Sequence, residues 1–233
     1  MPTFDRTPDG PDSFGYKVSW FAVRAGDAAS VVQALELGPD TAANWQSGLA
    51  AMYDSSDAEP WIFVSPPVGG WVLVVGSLLP YPVVGVMEQA EVGAKFNILF
   101  SRLTKRFAEV QFFGSYRVVD FVSWARARNG QPIRMFSYAD GVVYANVGAQ
   151  TPEEARLGFV DLTGLSPEAA VDKMFKVMEE QEGAPPGKQR LRAIPGETDV
   201  LNLAAAWGVN PMDLPDAVAS VGLAVRLPRS LGQ

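Results

Sequence analysis

Residues 109–147 read EVQFFGSYRVVDFVSWARARNGQPIRMFSYADGVVYANV, and this stretch decides the fold. Its runs EVQFFG, RVVDFVSWARA, QPIRMFSYA and VVYANV are rich in aromatic and β-branched residues, which suit a pleated surface. They are punctuated by Gly114-Ser115, Asn129-Gly130 and Asp140-Gly141. Asn-Gly and Asp-Gly tolerate the positive φ angles of a two-residue hairpin turn, so the stretch predicts an antiparallel meander.

Upstream lies the uncharged run 61–87, WIFVSPPVGGWVLVVGSLLPYPVVGVM. By residue count it would span a bilayer, but Pro66, Pro67, Gly69, Gly70, Gly76, Pro80 and Pro82 break any continuous helix. It reads instead as buried strands over 61–65 and 71–77 joined by Pro66-Pro67-Val68-Gly69-Gly70, a hairpin. That loop has neither the GxxxxGK[ST] nor the GxGxxG spacing of a phosphate cradle, so its glycines are assigned to the turn. No membrane partner is expected.

Helices flank these strands. A strand over 16–24 precedes Asp27, an N-cap for a helix over 28–37 that Gly38 and Pro39 stop. A second helix is predicted over 42–53, with Trp45, Leu49 and Met52 on one side. In the helix over 91–107, Val92, Phe96, Leu99, Leu103 and Phe107 form an apolar stripe, and Lys95, Arg102 and Arg106 align on another face. Thr151-Pro152-Glu153-Glu154 has the form of a capping box, and Ser166-Pro167-Glu168 opens a helix with Val171, Met174, Phe175 and Met178 on one stripe. Residues 182–196 read as a surface loop or linker, 199–207 as a short helix, and the remainder from Asn210 as a Pro-interrupted tail.

The fold class is therefore α+β: an antiparallel sheet, made of the hairpin 61–77 and the meander 109–147, packed against helices, with a helical C-terminal region. Residues 1–13 are expected as a flexible lead-in. Residues 14–233 form a single domain, in which 151–233 stands as a helical subregion or as an appendage docked on the β-rich body.

Composition narrows the chemistry. The 233-residue chain contains no histidine and no cysteine. This inventory excludes a Ser-His-Asp triad, a Cys-His dyad, thiolate or imidazole metal sites and disulfides. Asp, Glu, Lys, Arg, Tyr, Ser and Thr remain for any reaction. No cofactor and no metal are expected, and the absence of cysteine and of a signal peptide at the N-terminus suits a cytoplasmic protein.

A net charge of −7 argues against nucleic acid as a partner. The charge is uneven: residues 1–60 carry nine acids and three bases, 88–134 four acids and eight bases, and 135–233 thirteen acids and eight bases. An acidic surface of this kind suits a basic protein partner. Trp71, following a turn, is a candidate exposed anchor, and Asp54, Asp57 and Glu59 in a polar loop are candidate partner-binding carboxylates. A second candidate is a pocket on the sheet formed by Arg117, Asp120, Trp124, Arg134 and Tyr138. Period-two alternation sends Arg117 and Asp120 to opposite faces, and an Arg134–Asp120 ion pair across a hairpin is its structural counterpart.

The segments WIFVSPPVGGWVLVVG and FAEVQFFGSYRVVDFVSWARARNGQPIRMFSYADG resemble a family of poorly characterised bacterial proteins of similar length. The likeness covers about residues 14–210. Members look like small accessory proteins, some of them associated with contact-dependent or type VI toxin loci as immunity proteins. The resemblance carries no catalytic signature and supplies no site residue. It implies a non-enzymatic, cytoplasmic immunity protein that neutralises a basic toxin domain by occluding its active site. The alternatives are a histidine-independent enzyme using Asp, Arg and Tyr in the sheet pocket, and a structural scaffold protein.

Overall fold

The meander forms, with turns at Asn129-Gly130 and Asp140-Gly141 as predicted, but Gly114-Ser115 lie inside its first strand and the first turn falls at residues 117–120 instead. β5 (Glu109–Tyr116), β6 (Phe121–Arg128), β7 (Gln131–Ala139) and β8 (Val142–Val147) pair in succession, all antiparallel. Asn129-Gly130 and Asp140-Gly141 have φ of 49° and 78°, and of 46° and 79°, the double positive φ of type I′ turns. The computed structural model describes residues 2–53, 59–182 and 190–233.

Three more strands extend the meander on its β5 side. β1 (Val18–Val23) pairs with β5 and with β4 (Val72–Gly76), which pairs with β3 (Trp61–Val64). Gly69 and Gly70, at φ 58° and 81°, close the β3–β4 hairpin, confirming the turn reading of that loop. Two strands were not expected. Asp40–Ala43 (β2), assigned in part to a helix, is extended, and Gly222–Arg226 (β9) inserts between β2 and β3 from the Pro-interrupted tail. The sheet thus has nine antiparallel strands in the order β2-β9-β3-β4-β1-β5-β6-β7-β8.

Helices cover both faces, because strands buried on both sides need two apolar layers over them. On the first face, α2 (Trp45–Met52), α4 (Pro152–Arg156), α5 (Pro167–Glu182) and α6 (Glu197–Trp207) cover Trp20, Phe63, Phe113, Trp124 and Phe136. On the second, α1 (Ala28–Leu35) and α3 (Ala90–Thr104) cover Phe21, Val74, Phe112 and Ala125. Each fully buried Phe or Leu side chain in these layers contributes roughly 1.5–3 kcal/mol. Basic side chains in and just after α3 tie it to α1, Arg102 reaching the Leu35 carbonyl and Arg106 donating to Gln33 at 2.9 Å, while Lys95 pairs with Glu91 within the helix.

The N-terminal segment, expected as a loose lead-in, is tied to α2. The Asp9 carboxylate accepts from the backbone N–H groups of Trp45 and Gln46 at 2.8 and 3.0 Å, and Phe4 lies edge-on to Trp61. Capping of orphan helix donors from a distant segment gives that segment a fixed course.

One row of the second face is built from small residues. Gly76, Ser19, Gly114, Ser123 and Ser137 are successive cross-strand neighbours on β4, β1, β5, β6 and β7. At Gly114 a Cβ would lie 2.5 Å from the Ser19 hydroxyl, so a side chain does not fit. Residues 77–86 leave β4 and cross this face: Leu79 packs on Gly76, Tyr81 on Phe121 and Tyr144, and the Val84 N–H donates to the Tyr144 carbonyl at 2.7 Å. This strap, with the strand ends beneath it, shapes a cleft at one end of the sheet.

Candidate functional site

At one end of the sheet β1 begins, β4 and β5 end, β6 begins, β7 ends and β8 begins. The antiparallel order therefore converges four turns or connections on a single edge of the molecule. Between the strap and those turns lies a cleft of about 580 Å³. Tyr53, Tyr81, Tyr116 and Tyr144 are its aromatic walls, Ser19, Ser77 and Ser115 add hydroxyls, and Lys17 and Asp140 are its charged groups.

The chain has six tyrosines, and all of them lie at this end of the sheet, Tyr138 with its ring buried in the first-face core. Four line the cleft; Tyr53 donates to the Tyr16 carbonyl at 3.5 Å; and the Tyr138 hydroxyl faces Asp120, Asp140 and the Gly141 N–H. Burial pushes the phenols of Tyr53 and Tyr81 above the usual tyrosine range, with Tyr144 adding to the effect at Tyr81. Burial also raises Tyr138, Asp120 and Asp140 adding to it while the Gly141 N–H opposes it. These phenols stay protonated at neutral pH and act as donors. Among the described residues, no hydrogen bond occupies the hydroxyls of Tyr81, Tyr116 or Tyr144.

The rim is apolar and exposed. Tyr53 is 53% accessible, Tyr116 42% and Val118 67%, and Tyr16 and Leu78 stand beside them. Aromatic side chains that combine a large apolar body with a polar tip are the residue types that anchor partners. The backbone is also held in a costly form: Lys17, a residue with no side-chain compensation for a left-handed conformation, has φ 56°. Glu197 braces it, accepting from the Lys17 N–H at 3.4 Å and from the Ser115 hydroxyl at 3.1 Å through one oxygen. Backbone strain of this kind concentrates at functional positions.

The sequence-predicted pocket is divided by the fold. Arg134 and Trp124 meet Glu154, not Asp120. The Glu154 carboxylate accepts from Arg134 Nε at 3.0 Å and from Trp124 Nε1 at 2.9 Å through Oε1, and from the Thr151 N–H at 2.7 Å through Oε2. The Arg134 and Glu154 side chains are 3% and 1% exposed, and the space at this cluster is about 10 Å³, too small for a ligand. Tyr138 stands four residues from Arg134 along β7, about 13 Å away at the rise of a strand. Arg117, expected within a strand, belongs to a 3₁₀ turn, Arg117–Val119, and Asp120 follows it at φ 47°. Of the predicted set, Trp124 and Arg134 come together on Glu154, and Asp120 and Tyr138 come together separately, at the end of the sheet that holds the cleft.

Trp71 is corrected as an exposed anchor. It is 4% accessible, because Arg24 stacks over its ring at 5.1 Å and Gly208 lies against its edge. Asp54 and Asp57 lie outside the described residues. Glu59 gives its backbone carbonyl to Arg226 Nη1 at 2.6 Å, and Arg226 stacks on Trp61 at 4.0 Å. Glu59 therefore stands just ahead of β3, at the end of the sheet where β4 runs into Ser77 and Leu78 of the cleft wall.

Sequence reasoning passed over Lys17, Tyr53, Tyr81, Tyr116, Asp140 and Tyr144. One signal was available: five of the six tyrosines fall at or beside predicted element ends or in the Pro-broken connector, not in the middle of strands. Among the described residues, no group of His, Cys, Asp and Glu is arranged to hold a metal ion, and no helix is long and apolar enough to cross a membrane. Comparison with protein-family models, curated proteins and solved structures gave no match to this chain.

Proposed function

We propose that this chain is a binding protein that acts without turnover, and that the tyrosine-lined cleft is its working surface. The observation that supports the reading is the set of four tyrosines, Tyr53, Tyr81, Tyr116 and Tyr144, that lines one open concavity. Its occupant is a protruding segment of a protein partner. An apolar side chain of that segment rests on the packed rings of Tyr81 and Tyr144, and its backbone takes hydrogen bonds from the phenols and serines. The exposed rim of Tyr16, Tyr53, Leu78, Tyr116 and Val118 excludes water around that anchor, as in the hot spots of protein interfaces.

In its sharper form the partner is a bacterial toxin, and the chain a cytoplasmic immunity protein that occludes the toxin's active site. The acidic balance of −7 and the lack of imidazole and thiol are consistent with it. The test is recovery of a stoichiometric protein by the tagged chain from cells that express it. The wild type is expected to bring down one partner, encoded beside it if the toxin form holds, and the double variant Tyr53→Ala/Tyr116→Ala none. Recovery of the same partner by that variant would refute the cleft as the surface; a stoichiometric partner with no toxic activity would refute only the immunity form.

A further inference from the structure

Past the strap and the β7–β8 turn lies a second concavity, a groove of about 670 Å³ that shares no residue with the tyrosine cleft. One bank is the segment Gly85–Glu88 at the end of the strap. The other is the first two turns of α5, and the floor is the start of β8. Its apolar surface comes from Val86, Met87, Val142, Val143 and Val171. Met87 is 84% exposed and Val142 40%, on the edge strand of the sheet. Phe175, one helical turn beyond Val171, continues the apolar surface to Gly141.

Every charged residue lining the groove is acidic: Glu88 on one bank, Glu168 and Asp172 on the other. Glu168 and Asp172 are four apart on α5, so they face the same way and repel each other. Among the described residues, none of these three carboxylates has an ion-pair partner. The arrangement is an apolar trough with uncompensated negative charge on both banks, beside exposed methionine and valine side chains. Its complement is an amphipathic segment with an apolar stripe flanked by Lys or Arg.

We infer that this groove docks a basic amphipathic segment of a protein partner, with the apolar stripe seated on Met87, Val142 and Val171 and the flanking cations on Glu88, Glu168 and Asp172. The site stands apart from the tyrosine cleft and does not depend on what that cleft binds. Flexible methionine gives such a groove tolerance for side chains of different shape.

The test uses the full chain, isotope-labelled, titrated with a fluorescent Leu/Lys amphipathic helical peptide of about five turns and with its Leu/Glu counterpart. The Leu/Lys peptide is expected to saturate, with amide shifts concentrated at residues 85–88, 141–143 and 166–172, and the Leu/Glu peptide to leave them unmoved. Glu168→Lys/Asp172→Lys is expected to weaken binding about tenfold or more, and Tyr53→Ala/Tyr116→Ala to leave it unchanged. Met87→Ser, which keeps every charge, is expected to weaken it as well. Shifts scattered over the acidic surface, equal binding by the charge-reversed variant, indifference to Met87→Ser, or absence of binding would each overturn the inference. An effect of the tyrosine variants on this titration would merge the two sites and overturn their independence.

Discussion

The chain has six tryptophans and six tyrosines, and the fold sends them to different places. The tryptophans pack into the first face of the sheet. Trp20, Trp45, Trp71, Trp124 and Trp207 are buried there, and Trp61 packs against the same layer. Five of the tyrosines gather around one open end, and Tyr138 alone is buried in the tryptophan layer. Indole is mostly apolar area and gains most from full burial, whereas a phenol pairs a smaller ring with a strong donor and acceptor at its tip. Polar groups divide in the same way. In the tryptophan layer the Glu154 carboxylate is filled by Arg134, Trp124 and Thr151, and no space remains beside it. In the tyrosine cleft the hydroxyls face open volume. A paired charge without room is architecture; a set of donors beside an empty concavity is a surface for something else.

The largest effect expected from breaking this contrast is at the paired charge. Arg134→Met leaves Glu154 buried and short of a partner, which costs about 3–5 kcal/mol. Denaturant unfolding would show it as a lower midpoint at unchanged slope, and partner recovery below the transition would persist. Next comes Gly48→Ala on α2, where a Cβ would sit 2.1 Å from the Phe63 ring in the tryptophan layer. Forcing that ring aside costs about 1–3 kcal/mol, again with binding retained. The reverse pattern is expected for Tyr116→Ala: a stability change within about 0.5 kcal/mol, because the side chain is exposed, and loss of the partner.

Two smaller effects depend on pH. Burial pushes Glu109 up, but hydrogen bonds from Arg126 and Gln111 and the charges of Arg126 and Arg128 outweigh it, holding its carboxyl below the ordinary 4.5. A depressed carboxylate contributes stability that is present above its unfolded pKa and lost as pH falls through the folded one. Glu109→Gln is therefore expected to flatten the decline of stability below about pH 4.5, measured by denaturant titration across that range. In the cleft, ultraviolet titration should show Tyr81 ionising above pH 10, and Tyr81→Phe should remove that late component.

Much of the sheet was legible because its determinants are local. Asn129-Gly130, Asp140-Gly141 and Gly69-Gly70 set three hairpins by turn chemistry alone. β9 was not legible: the pairing of Ala224 with Phe63 and with Thr41 joins residues far apart in sequence, and the flanking prolines of the tail conceal the strand. β2 failed for a related reason, since Asp40–Ala43 has no strand-forming pattern of its own and is extended by its partner. The site was less legible than the fold. Arg134 and Asp120 looked adjacent on facing strands, but the capping Glu154 arrives from a helix and claims the arginine. The cleft depends on antiparallel order bringing the ends of β1, β5, β6, β7 and β8 together under a strap, which no short window of sequence encodes.

Hydrogen–deuterium exchange on the free chain and on the chain bound to the protein it recovers tests the central claim most directly. The account predicts that binding slows exchange at residues 16–19, 77–81, 115–121 and 139–144, while amides around Arg134 and Glu154 stay as they were. Unchanged exchange at those four segments, with protection appearing instead around Trp71, would contradict it.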